Sequence, residues 1–152
     1  LRAHDWRLPH NYKRVRGDFV EIAPLLKPDF DAVVCLSALE HFGRPMYSFS
    51  RDEVQYDQMT MDWCWRILKP GGTVYLTVPC GREHREDKDW RVYDRKSLAV
   101  LFGDGWVEEK RLFFLSGMCD CQHDDGVVTE QDADQWEGVP PHVTVFLKMR
   151  RV

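Results

Sequence analysis

Two stretches decide the fold: Asp29-Phe30-Asp31-Ala32-Val33-Val34-Cys35-Leu36-Ser37-Ala38-Leu39-Glu40-His41-Phe42 and Trp65-Arg66-Ile67-Leu68-Lys69-Pro70-Gly71-Gly72-Thr73-Val74-Tyr75-Leu76-Thr77-Val78-Pro79. In the first, Phe30–Leu36 is a nearly continuous apolar run, with Val33, Val34 and Cys35 in succession. Such a run predicts a strand buried on both faces, as parallel strands under helices are. In the second, Thr73–Val78 is rich in β-branched residues and reads as another strand, closed by Pro79, which cannot continue a ladder in mid-sheet. From about Arg51 to Leu68, the residues Met61, Cys64, Trp65 and Leu68 fall at i, i+3, i+4 and i+7, the apolar stripe of a helix lying on a sheet. Lys69-Pro70-Gly71-Gly72 ends that helix, and its glycines supply the left-handed turn that returns the chain to a strand rather than a phosphate loop.

Working outward, Tyr12–Arg16 is a short β-like run ending at Gly17-Asp18, and Ile22, Leu25 and Leu26 follow at helical spacing until Lys27-Pro28. Downstream, Asp94 is placed to cap a short helix that carries Leu98, Leu101 and Phe102 inward and ends at Gly103 and Gly105. Trp106–Leu115 and His142–Met149 read as consecutive strands pairing antiparallel, with a long insertion at the tip of their hairpin. That insertion, Gly117–Pro141, holds seven acidic side chains and no lysine or arginine, and reads as a solvated loop.

Strands alternating with helices over 152 residues describe one α/β domain. The formal net charge of −4 and the pI near 5.9 argue against a nucleic-acid surface as the main feature. No apolar run approaches the roughly 18 residues of a spanning helix. The five cysteines are an odd count, and Cys35 and Cys64 sit in apolar settings where reduced thiols pack as small hydrophobes. A reducing, cytoplasmic location is expected.

The two opening stretches, with a helix between them and the strand pair that follows, resemble the class I S-adenosylmethionine-dependent methyltransferases over most of the chain. The resemblance implies a Rossmann-like sheet, mostly parallel with a C-terminal antiparallel hairpin, and S-adenosylmethionine as cofactor. Ligands in such sheets bind where loops leave the carboxyl ends of the strands, so Asp5, Asp18 and Ser37 through His41 share one rim. By resemblance, Asp5, with Trp6 beside it, occupies the place of the acid that accepts both ribose hydroxyls. Asp18 matches the acid that meets the adenine amino group, with Phe19 as an apolar wall. Leu36 and Ser37 are expected near the methionine half of the cofactor. Ordinary roles stand beside these: Asp5 as a surface aspartate, and Asp18 as the cap of the following helix. No G-x-G precedes Asp5. The family's central first strand and its glycine-rich turn are therefore missing, and the expectation is an N-terminally truncated methyltransferase or a chain that does without the cofactor loop.

His41 is the catalytic candidate, because a histidine can take the proton from a hydroxyl or amine as the methyl group moves. Glu40 lies beside it, but adjacent helical residues do not face each other, so a dyad is not expected. Arg82, Arg85 and Arg91 leave the end of the Thr73–Val78 strand on the same rim and suit a carboxylate or phosphate on an acceptor, or a plain solvated loop. Cys119-x-Cys121-x-His123 is too tight and too short for a standard zinc pattern, and no metal is expected. The reading is methyl transfer to an oxygen or nitrogen of a small-molecule or saccharide acceptor. The alternative is a non-catalytic, methyltransferase-like module that binds a partner through the sheet and the acidic insertion.

Overall fold

The computed structural model describes residues 13–45, 55–116, 127–135 and 142–152. In chain order the elements are α1 (Phe19–Ile22), a 3-10 turn (Ala23–Leu25), β1 (Phe30–Leu36), a second 3-10 turn (Leu39–His41), α2 (Tyr56–Ile67) and β2 (Leu68–Cys80). There follow β3 (Arg85–Glu86), β4 (Arg91–Val92), α3 (Arg95–Leu101), β5 (Trp106–Ser116), β6 (Val127–Val128), α4 (Glu130–Gln135) and β7 (His142–Arg151). Five strands form one sheet in the order β1-β2-β7-β5-β6, and β3 and β4 form a separate small hairpin.

β1 and β2 run parallel, from Ala32 opposite Thr73 to Leu36 opposite Thr77. β7 lies antiparallel between β2 and β5, and β6 adds an antiparallel edge to β5. The sheet is thus a mixed α/β sheet with the expected C-terminal antiparallel hairpin. Side chains alternate across a strand, and one face of β2 and β7 is fully covered: Val74, Leu76, Val78, Val143, Val145, Leu147 and Met149 are all buried. Met61 and Cys64 of α2 and Leu98 and Leu101 of α3 complete that core. The alternate residues of β2, such as Tyr75 and Thr77, are only half-buried.

Several local expectations change. Phe30–Leu36 is a strand but is not buried on both faces, since Val34 is 63% and Leu36 55% exposed. Among the described residues β1 has a neighbour on one side only, so nothing covers its outer edge. Residues 13–16 carry no regular structure where a short strand is expected. The helix stops at Ile67, and the strand begins at Leu68 rather than Thr73, taking Pro70 and both glycines into β2. Gly71 sits at φ +80, the left-handed geometry expected there. Pro79 lies inside β2, opposite Thr144. Thr77 and Pro79 face the same side, where Thr77 O accepts from Ser37 N and Pro79 O from Tyr93 N. β1 has ended at that level, so the donor that proline lacks is not needed.

The acidic insertion is more than a loop. Val127–Val128 pairs with β5, and α4 places Ala133, 3% exposed, in the core. Asp134 and Glu130 face Arg95, and Glu130 also faces Arg111. Asp94 caps α3 in a reciprocal box, its carboxylate accepting from Ser97 N while its own N–H donates to Ser97 Oγ. No helix among the described residues is long and apolar enough to cross a membrane.

Candidate functional site

The parallel strands β1 and β2 end side by side, and there the chain turns sharply. Ser37 adopts φ +44, a left-handed conformation that a serine adopts only when its surroundings hold it. Its N–H lies 3.1 Å from Thr77 O and 2.9 Å from Thr77 Oγ1, so β2 holds the kink. Leu36 and Ser37 are exposed at this end of the sheet, on the rim where the resemblance puts the cofactor.

Two residues on, buried Leu39 anchors a 3-10 turn that presents Glu40 and His41. His41 Nδ1 lies 2.7 Å from the carbonyl oxygen of Asp89, in the turn between β3 and β4. Its Nε2 is 3.9 Å from Glu40 Oε1, beyond hydrogen-bond reach, in keeping with the absence of a dyad. Glu40 is 3% exposed and its Oε2 has no hydrogen-bond partner. Burial pushes its carboxyl above the usual range; its own backbone N–H and nearby His41 pull the other way without cancelling the shift.

Asp18 performs its ordinary role: Oδ1 accepts from Val20 N at 2.9 Å and caps α1, while Oδ2 accepts from the Tyr56 hydroxyl. Phe19 is partly buried against the core. The neighbour of Tyr56, Asp57, leads to the next layer. Tyr93 OH donates to Asp57 Oδ2 at 2.8 Å, and Arg91 Nε stands 3.7 Å from the same oxygen. Arg91 Nη1 donates to Phe42 O at 2.6 Å, which returns the network to the His41 turn. Adjacent residues of α2 thus anchor two polar clusters, Tyr56 with Asp18 and Asp57 with Tyr93 and Arg91, and the second reaches the backbone of the His41 turn. Desolvation, reinforced by the Asp57 charge, drives the Tyr93 phenol far above its ordinary value.

Of the three arginines expected to meet an acceptor, Arg82 and Arg85 are exposed but Arg91 is 1% exposed and built into the protein. Phe42 O and Asp57 hold its guanidinium from inside, so Arg91 is not presented to solvent as the charged loop suggests. Asp5, Trp6 and the Cys119, Cys121, His123 group lie outside the described residues. Among the described residues no group of three or more His, Cys, Asp or Glu is placed to hold a metal. Sequence reading missed Arg44, Asp57 and Glu86. A signal existed for Asp57, which sits at i relative to Met61 at i+4 and Cys64 at i+7 on the apolar stripe; an acid there requires a buried partner.

A family profile described as "Methyltransferase domain" matches residues 2–76, a span that includes Asp5, Asp18, Leu36, Ser37 and His41. That span is 75 of the chain's 152 residues, and over it the chain is similar to methyltransferase domains. Among solved structures it is similar to the [4+2]-cyclase SpnF, with a TM-score of 0.51 and 17% identity over 84% of this chain. That likeness concerns the fold. The chain spans about half the length of SpnF, 52%.

Proposed function

We propose that the chain acts in S-adenosylmethionine-dependent methyl transfer to an oxygen or nitrogen of a small-molecule or saccharide acceptor, with His41 as general base. The observation that carries this reading is the 2.7 Å contact from His41 Nδ1 to the Asp89 carbonyl. A carbonyl oxygen only accepts, so Nδ1 holds the hydrogen of the neutral ring and Nε2 holds the lone pair. The ring is oriented by the turn between β3 and β4, in the charged segment where acceptor recognition is expected. When bound, S-adenosylmethionine supplies an electrophilic sulfonium methyl group. His41 Nε2 takes the proton that the acceptor O–H or N–H gives up as its heteroatom bonds to that methyl. Most of the rate comes from holding the two reactants in line.

The described residues suit the cofactor in part. An ionised carboxylate offers about four acceptor positions, and Asp18 uses two, on Val20 and Tyr56. The remainder suit an adenine amino group, with Phe19 as its wall. The Ser37 kink exposes Leu36 and Ser37 for the methionine half, and Asp5 with Trp6 is assigned the ribose. The free thiols Cys35, Cys64 and Cys80 fit a cytoplasmic setting. The partner-module alternative draws less support, since Glu130, Asp132 and Asp134 of the acidic insertion are engaged by Arg95, Arg111 and Thr129.

The test is a calorimetric titration of S-adenosylhomocysteine into the chain. Micromolar binding, abolished in Asp5→Ala and retained in His41→Asn, is the expected result. A folded chain that does not bind it would overturn the reading for this polypeptide.

A further inference from the structure

Next to His41, two arginines are nearly withdrawn from water: Arg91 is 1% and Arg44 7% exposed. Among the described residues, Arg91 Nε and Arg44 Nε and Nη2 have no well-aligned hydrogen-bond acceptor. Buried guanidinium N–H groups left in this condition are costly, and native proteins seldom keep them without a reason. Between them lies one carboxylate, Glu86 of β3. Its Oε2 is 2.7 Å from Arg44 Nη2 and its Oε1 is 3.4 Å from Arg91 Nε. The first is within hydrogen-bond distance but poorly aligned, and the second is an ion-pair distance only. The inner acid, Asp57, is committed to Tyr93 and stays 3.7 Å from Arg91.

Glu86 differs from its partners in being removable. Its side chain is 41% exposed, and it belongs to a two-residue strand in a two-stranded hairpin. Burial alone would raise its carboxyl pKa, but Arg44, His84 and Arg91 outweigh that and lower it, so it is held as an anion. The two guanidinium groups each face one oxygen of a single carboxylate. That spacing matches a planar, two-oxygen anion.

We propose that Arg44 and Arg91 form a carboxylate-binding site which Glu86 fills from within, and that the methyl acceptor carries a carboxylate that displaces Glu86 and docks beside His41. Withdrawing Glu86 leaves two desolvated cations with Asp57 near Arg91 alone, and an incoming carboxylate restores both the charge balance and acceptors for the guanidinium N–H groups. The phosphate reading of this rim is less suited to a site whose resident anion is a carboxylate bridging both arginines. The catalytic meaning of the site rests on His41 as base; the binding does not, so the test measures binding.

Glu86→Ala opens the site, and acetate is the probe. Acetate is expected to raise the melting temperature of Glu86→Ala with saturation, beyond the effect of chloride or acetamide at equal concentration. The native chain should respond at least about tenfold more weakly, because Glu86 competes as a tethered ligand. Adding Arg44→Gln to Glu86→Ala should remove the response. Equal effects of acetate and chloride, or a response that survives Arg44→Gln, would overturn the proposal. If Glu86→Ala does not fold, the Nε–H resonances of Arg44 and Arg91 in the native chain decide: saturable shifts with acetate and none with acetamide support it, and no shifts refute it. S-adenosylhomocysteine binding is measured in parallel. Its retention alongside a missing acetate response sinks this inference alone, whereas its loss sinks the cofactor reading.

Discussion

Replacing Asp57 by alanine tests whether the buried network holds the rim together. Asp57 is 6% exposed and receives the Tyr93 hydroxyl at 2.8 Å, with Arg91 at 3.7 Å. Its loss strips Tyr93 of an acceptor and leaves Arg91, itself 1% exposed, without its inner counter-charge. A buried hydrogen bond to a charged group contributes about 1.5–3 kcal/mol, and breaking a buried ion pair from one side costs about 3–5 kcal/mol. Because the arginine contact is long, the sum belongs near the lower bound of the second figure, at about 3–4 kcal/mol. With a urea slope of about 2 kcal/mol per M, the unfolding midpoint should fall by about 1.5–2 M. Asp57→Asn keeps an acceptor for Tyr93 and should lose about half as much. Equilibrium urea titration followed by far-UV circular dichroism reads both variants. An Asp57→Ala midpoint within about 0.3 M of native, or an asparagine variant as damaged as the alanine one, would refute the reasoning.

Glu40→Gln should stabilise the chain at pH 7 and change little near pH 4. Burial raises the folded carboxyl pKa, so the folded state binds more protons than the unfolded one, and a penalty grows as pH rises from the unfolded value through the folded one. Thermal melts of both proteins across that range check it, and a variant destabilised at pH 7 would contradict it. Gly105→Ala would place a Cβ 2.5 Å from Trp65 Nε1, while the Arg151 guanidinium stacks 3.8 Å from the same ring. A loss of about 1–3 kcal/mol is expected, together with a changed tryptophan emission; an unaltered melt would count against it. Burial pushes the thiols of Cys64 and Cys80 up to about 12 and that of Cys35 to about 11. Alkylation at pH 8 followed by peptide mass mapping should leave Cys64 and Cys80 unmodified until the chain is denatured. Rapid labelling of either in the folded protein would show the core to be more open than described.

Patterns of near neighbours were legible in the sequence. The helix on Met61 and Cys64, the Asp94 cap, the turn at Gly71 and the paired strands Trp106–Ser116 and His142–Arg151 all follow from periodicity, capping chemistry and glycine geometry within a few residues of each other. The two quoted stretches also carried the resemblance to methyltransferases, whose domain profile matches residues 2–76. Burial was less legible, because an apolar run states what a strand can bury and not what covers it. Phe30–Leu36 has the composition of a central strand, yet Val34 and Leu36 face outward at the edge of the described sheet. The acidic insertion reads as solvated in one dimension, but Arg95 and Arg111 reach Asp134 and Glu130 across the fold.

The sequence by itself determined the element order, the α/β class and the rim at Leu36, Ser37 and His41, because these depend on local spacing and on where strands end. Only the tertiary structure decided which charges meet. Arg44, Asp57, Glu86 and Arg91 are separated by up to 47 residues (91 − 44), and their pairing depends on α2, the His41 turn and the β3–β4 hairpin converging at the end of β2. A guanidinium reads the same in sequence whether it faces water or a buried carboxylate; its partner is set by distances between elements that no local pattern encodes.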